Sequence, residues 1–189
     1  MLESAVSLLA GIPSIVYGLW GFYVIRPVIV DLGLSSQGFG ILTASVVLAI
    51  MVIPYAASLS SEFISMVSRE LKEGAYSLGG TRLDVIRRVV FPVAGSGIFA
   101  SYVLALGRAL GETMAVLMIL SPGLNYSIKL LQASQNQTIA ANIAAQYPEA
   151  NDLGVSTLIG TGLILFLITF VVNFIARKLT EKASALWPQ

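Results

Sequence analysis

The chain is 189 residues long and 20.0 kDa, 56% hydrophobic and only 11% charged, with a mean hydropathy of +0.84. A soluble domain carries about 25% charged residues, so disordered, nucleic-acid-binding and ordinary soluble classes are excluded, and a formal charge of +1 gives no long-range field for a polyanion. With no His and no Cys, the chain lacks disulfides, thiolate or imidazole metal sites and Ser-His or Cys-His nucleophiles, which leaves a membrane protein doing non-covalent work without a cofactor of its own.

A helix crosses a hydrocarbon core of about 30 Å with roughly 20 apolar residues. The gaps between charges mark such stretches directly. No residue is charged between Glu3 and Arg26, nor between Asp31 and Glu62. A third stretch runs from Pro92 to Leu120, interrupted by Arg108 and Glu112, and a fourth from Leu153 to Ala176. The expectation is an all-α membrane protein, one transmembrane domain over residues 1–189 with four transmembrane helices. The first span is no secretory signal, because the acid Glu3 precedes it and its apolar part is too long. Two spans carry breaks: Gly11-Ile-Pro-Ser14 near the start of the first, and Pro54 inside the second, where a backbone hydrogen bond is lost. Each is either a simple kink or a hinge lining a pathway, since freed carbonyls are tolerated where neighbouring helices or water satisfy them.

Orientation follows Lys and Arg. The segment 68–91 holds Arg69, Lys72, Arg82, Arg87 and Arg88, and the tail holds Arg177, Lys178 and Lys182. Two crossings separate them, so both face the cytoplasm, and 26–38 and 121–152 face outward with Lys129 as the one cation of the longer segment. Glycosylation-like triplets at Asn125 and Asn136 fall on that side but are common by chance. Within 121–152, the alanine-rich stretch 138–147 predicts a short helix at the outer mouth, too polar to span.

The cytoplasmic segment has strong punctuation. Ala75, Tyr76 and Leu78 give one short helix an apolar side, and Gly79-Gly80 stops it. Thr81 and Asp84 then read as a capping box for a second helix, with Leu83, Ile86 and Val90 at helical spacing and Pro92 at the entry to span three. Two accounts fit: a capped helix pair on the membrane interface with arginines touching lipid phosphates, or a docking knob for a cytoplasmic partner. Glu73-Gly-Ala-Tyr-Ser-Leu-Gly79, nine residues, then Val89-Val-Phe-Pro92 resembles the "EAA" loop of ABC importer permeases. Glu73, Ala75, Gly79 and Pro92 stand at the expected spacing, while Gly74 replaces the usual Ala, Val89 Ile and Phe91 Leu. The resemblance implies a coupling helix, formed by Glu73, Gly74, Ala75, Gly79 and Pro92, that seats in a groove of an ATP-hydrolysing subunit. No Gly-Lys-Ser/Thr occurs in this chain, so ATP and Mg belong to that separate subunit.

Within span three, Arg108 lies roughly 24 Å from Pro92 at 1.5 Å per residue, near mid-membrane. A central Arg costs at least about 2.5–3.5 kcal/mol, so it faces protein or water. Glu112 follows at i+4 and is placed to pair with it, beside a small-residue stripe of Gly107, Gly111 and Ala115 suited to close helix packing. The pair either fixes packing or lines a substrate pathway, with Arg108 offering a planar fork to an oxyanion and Glu112 competing so that binding stays weak enough for release.

Leu9-Ala-Gly-Ile-Pro-Ser-Ile-Val-Tyr-Gly-Leu-Trp-Gly21, Gly107-Arg-Ala-Leu-Gly-Glu-Thr-Met-Ala-Val116 and the 163–176 end resemble the permease subunits of the high-affinity phosphate ABC importer, nearer its PstC type than its PstA type. This implies phosphate as cargo, a type I permease core, a location in the cell inner membrane and four kinds of partner. These are a second, PstA-like permease subunit, two ATPase subunits, an extracytoplasmic phosphate-binding protein and membrane lipid. Family permeases carry about six helices, so an amino-terminally short form is expected. Two alternatives remain at this stage: an ABC permease for molybdate, sulfate or another oxyanion, and a passive channel or proton-coupled carrier.

Overall fold

The computed structural model describes residue 6 and residues 8–120 and 137–185, with side chains to residue 178. Lys129, the triplet at Asn125 and Asn136 itself lie outside the described residues, as does the side chain of Lys182. In chain order the helices are α1 (Ser14–Asp31), α2 (Ile41–Ser65), α3 (Arg69–Ser77), α4 (Arg82–Leu110), α5 (Met114–Ile119), α6 (Ile139–Gln146) and α7 (Asp152–Ala185). Four of them, α1, α2, α4 and α7 through Lys178, are long and apolar enough to cross a membrane. There is no strand among the described residues. This is an all-α, multi-pass membrane protein with a type I permease core, as predicted, although several boundaries differ from the charge map.

Span one is displaced. Residues 8–10 are helical, the chain turns at Gly11 and Ile12, and α1 starts at Ser14 behind Pro13. The Tyr17 hydroxyl donates to the Leu9 carbonyl at 2.8 Å, supplying a partner across the break. α1 then continues past Arg26 to Asp31, where the sequence predicts an end. Arg26 is tolerated because its guanidinium lies 4.9 Å from the Phe22 ring centre and 3.9 Å from that of Phe39, while Nε donates to the Gln37 carbonyl at 2.9 Å.

Two helices widen by one residue just ahead of a proline. Over Gly21–Ile25 the Arg26 N–H reaches back to the Gly21 carbonyl, and over Ile86–Val90 the Phe91 N–H reaches the Ile86 carbonyl. Pro27 and Pro92 follow directly. A proline has no N–H for the carbonyl four residues back and its ring collides with it; a wide turn moves that carbonyl aside and lets the helix run on. Pro92 therefore does not open span three as predicted. The second loop helix and span three are one helix, α4. α2 likewise passes Pro54 without ending.

α2 lies along α4, and α4 also carries α7. The α4 face toward α2 is a stripe of small buried residues, Ala94, Gly97, Ser101 and Ala105. Phe63 of α2 crosses this stripe so closely that a Cβ added at Gly97 would meet its ring at 2.3 Å. At the other end of the bundle Tyr17, Val47, Met51, Val116, Ile119 and Ala141 join α1, α2, α5 and α6 into one apolar core. α6 is the predicted outer-side helix; Thr138 Oγ1 accepts from the Ala141 N–H at 3.2 Å, and Tyr147–Glu149 adds a single tight turn.

Candidate functional site

The loop helix α3 forms because Ser68 caps it, its hydroxyl accepting from the Leu71 N–H at 3.4 Å. It stops at Gly79, whose φ of +82° is one that L residues rarely adopt. There the Gly79 N–H donates to Tyr76 at 2.9 Å and the Gly80 N–H to Ala75 at 3.1 Å, satisfying two of the terminal carbonyls. The predicted capping box is present: Thr81 Oγ1 accepts from the Asp84 N–H at 3.3 Å, and the Asp84 carboxylate accepts from the Thr81 N–H at 3.2 Å. Arg88 lies 3.6 Å from that carboxylate.

Of the predicted apolar side, only Ala75 turns inward, onto the small cluster of Val67, Val85, Val90 and Ala94. Tyr76 and Leu78 point away, and Leu78 is 91% exposed. Met66, Leu71 and Leu83 are exposed beside them. A group of exposed apolar side chains at the basic, polar end of a bundle makes this segment a candidate interaction surface. Glu73 and Gly74 are also on the exposed side. A Cβ added at Gly74 meets nothing within 4 Å, so the departure from the usual Ala is sterically silent. Pro92 lies below, half-buried in α4.

Arg108 and Glu112 do not share a helix face. α4 ends at Leu110, residues 111–113 leave helical geometry, and α5 resumes at Met114. Arg108 occupies the last turn of α4, where a cation favours the helix's negative end. Its guanidinium carbon lies 5.0 Å from the ring centre of Tyr55. Tyr55 stands 14 residues into α2 and 10 from its end, roughly 21 and 15 Å by helical rise, so Arg108 is near mid-span. Glu112 is buried, and Oε1 accepts from the Ala115 N–H at 3.3 Å, capping the start of α5. No carboxylate of the described residues lies within 4.0 Å of Arg108.

The predicted packing stripe is divided by the same break. Gly107 approaches Asn173 of α7, with 4.0 Å from an added Cβ to Oδ1; Gly111 meets only its own preceding turn; Ala115 is fully buried against Gly18 of α1, where an added Cβ would stand 2.9 Å from its Cα. The stripe that packs α4 is instead Ala94, Gly97, Ser101 and Ala105, and Arg108 continues it toward α2. That spacing is legible in the sequence. Tyr55 and Gly18 carried no such local signal.

Comparison with known proteins agrees with this architecture. Residues 1–184 match the family described as "Binding-protein-dependent transport system inner membrane component". The chain is 41% identical to the phosphate transport system permease protein PstC of Mesorhizobium japonicum, over 96% of this chain and 61% of that protein. It is also 41% identical to PstC of Haemophilus influenzae, over 94% of this chain and 62% of that protein, and 36% identical to PstC 1 of Mycobacterium tuberculosis, over 94% and 59%. The chain thus spans about three-fifths of the length of these relatives. On the strength of these matches and its helical architecture, the chain belongs to the family of inner-membrane components of binding-protein-dependent transport systems.

Proposed function

We propose that residues 1–189 act as one transmembrane domain of an ATP-driven importer that passes inorganic phosphate across the cytoplasmic membrane. Residues 68–91 and the C-terminus face the cytoplasm in this reading. The observation that carries the cargo assignment is Arg108, a guanidinium near mid-span, 5.0 Å over an aromatic ring and without a carboxylate partner among the described residues. The curated relatives named for phosphate transport support the same cargo. A guanidinium has five N–H donors, so a ring on one side leaves several for oxygen acceptors, and two of them match a phosphate edge. Glu112 holds the geometry of the gap by capping α5, which leaves Arg108 the site's cation.

The driving subunit docks on α3. Glu73, Gly74 and Ala75 form the body of the docking helix, Gly79 its stop, and Pro92 stands just past the wide turn Ile86–Val90 through which α4 continues into the membrane. The ATPase pair binds ATP and Mg, a PstA-like permease completes the membrane part, and an extracytoplasmic phosphate-binding protein delivers cargo.

The test is phosphate taken up per ATP hydrolysed by the assembled transporter in vesicles, comparing Arg108→Gln with the parent. Uptake falls at least tenfold while ATP hydrolysis persists. Normal uptake by Arg108→Gln refutes the pathway role. Displacement of labelled phosphate by sulfate or molybdate makes the cargo a different oxyanion, and flux without the ATPase makes the chain a channel or carrier.

A further inference from the structure

Arg108 needs a fixed orientation if its N–H edge is to meet a passing anion. Its own helix does not provide one. It sits in the last turn of α4, beyond which residues 111–113 leave helical geometry, and a long side chain at such an end has several rotamers available. Glu112, the expected partner, is turned toward the Ala115 N–H. Across the α2–α4 contact, the face of Tyr55 lies 5.0 Å from the guanidinium carbon. Both side chains are half-buried, where a cation over a ring is attracted more strongly than in open water.

We propose that Tyr55 is the positioning residue for this site: its ring face holds the Arg108 guanidinium so that the in-plane N–H groups remain directed at a phosphate-like oxyanion. This inference rests on the reading of Arg108 as the anion contact. Ring and anion do not compete for the same donors, because a cation over a ring is held through its charge, and the guanidinium has five N–H groups of which an oxyanion edge takes two. The contact is also tied to the frame of the bundle. The buried stripe Ala94, Gly97, Ser101 and Ala105 seats α4 on α2, and Pro54, which cannot donate to a preceding carbonyl, directly precedes Tyr55. Any change in how α2 lies against α4 near Pro54 therefore moves the ring relative to the guanidinium, linking the grip on the anion to the arrangement of the helices.

The experiment replaces Tyr55 in the assembled transporter with Phe and then with mono-, di- and trifluorinated Phe, which keep the ring's shape while draining its face of negative potential. Phosphate moved per ATP hydrolysed is the readout. Phe stays close to Tyr, and each added fluorine lowers the ratio, to a total loss of about fivefold at three fluorines; Tyr55→Leu falls at least as far. A ratio unchanged across the fluorinated series overturns the proposal, because a ring that only fills space is indifferent to its electron density. Arg108→Gln in the same assay separates the two readings. If it abolishes phosphate movement while the fluorinated series is flat, only the Tyr55 role fails. If it transports normally, the anion site fails and the Tyr55 role falls with it.

Discussion

Replacing Gly79 tests the loop helix by backbone conformation alone. A Cβ added there meets nothing within 4 Å, so no steric penalty enters; the whole cost comes from the φ of +82°. For an L residue the left-handed region costs roughly 1–2 kcal/mol, which lowers the population of the closed turn about 5–30-fold. Two amides report that population directly, Gly79 N–H on Tyr76 and Gly80 N–H on Ala75. In nanodiscs, hydrogen exchange at the Gly80 amide accelerates by this factor in Gly79→Ala. It accelerates further in Gly79→Val, whose branched side chain is poorly tolerated at positive φ, and only slightly in Gly79→Asn, which visits this region more readily. Coupling of ATP hydrolysis to uptake follows the same order. If Gly79→Ala exchanges like the parent, or Asn is as fast as Val, the turn does not depend on its left-handed residue and the argument for α3 as a rigid docking element fails.

Substitutions at three further positions probe the frame. Gly→Ala has opposite signs at two positions: at Gly18 the new methyl lies 2.9 Å from the Ala115 Cα, so α1 and α5 separate and the thermal unfolding midpoint drops, at a cost of about 1–3 kcal/mol; at Gly74 it meets open space and strengthens α3 by about 1 kcal/mol, raising protection of the α3 amides. Thr81→Ala removes both hydroxyl contacts of the capping box and weakens the start of α4 by about 0.5–2 kcal/mol, seen as faster amide exchange at Asp84, while Thr81→Ser keeps the parent rate.

The membrane spans were legible because lipid admits few charges, so the positions of Asp31 and Glu62 nearly delimit α2 by themselves. The exceptions have tertiary causes. Arg26 marks an end in the sequence but sits inside α1, because Phe39 and the Gln37 carbonyl come back from the loop to cover it. Pro92 reads as a helix start, and only the backbone shows the preceding turn widened to let α4 run through. The cytoplasmic-segment helices were legible in greater detail: Gly79, Thr81 and Asp84 act through local hydrogen bonds, and local bonds follow local sequence. Which apolar residue turned inward was not, since Ala75 is chosen by its contact with a cluster distant in the chain.

The charged pair illustrates the limit of spacing arguments. Arg108 and Glu112 stand four apart, and on an unbroken helix they would neutralise each other. The break between them changes the physics: each new helix end carries partial charge of its own, negative at the end of α4 and positive at the start of α5. Arg108 suits the first and Glu112 the second, and the Ala115 N–H claims the carboxylate. Each charge is then accommodated by a backbone terminus rather than by its neighbour. If Arg108 is the anion contact, as proposed, an arriving anion need not displace Glu112 from it, because that carboxylate is engaged by the Ala115 N–H. In the proposed pathway role, the negative end of α4 that stabilises the guanidinium also opposes a second negative charge close by, which favours release of an oxyanion. The interruption thus leaves Arg108 and Glu112 unpaired with each other, where a continuous helix with the same residues would bring them onto one face.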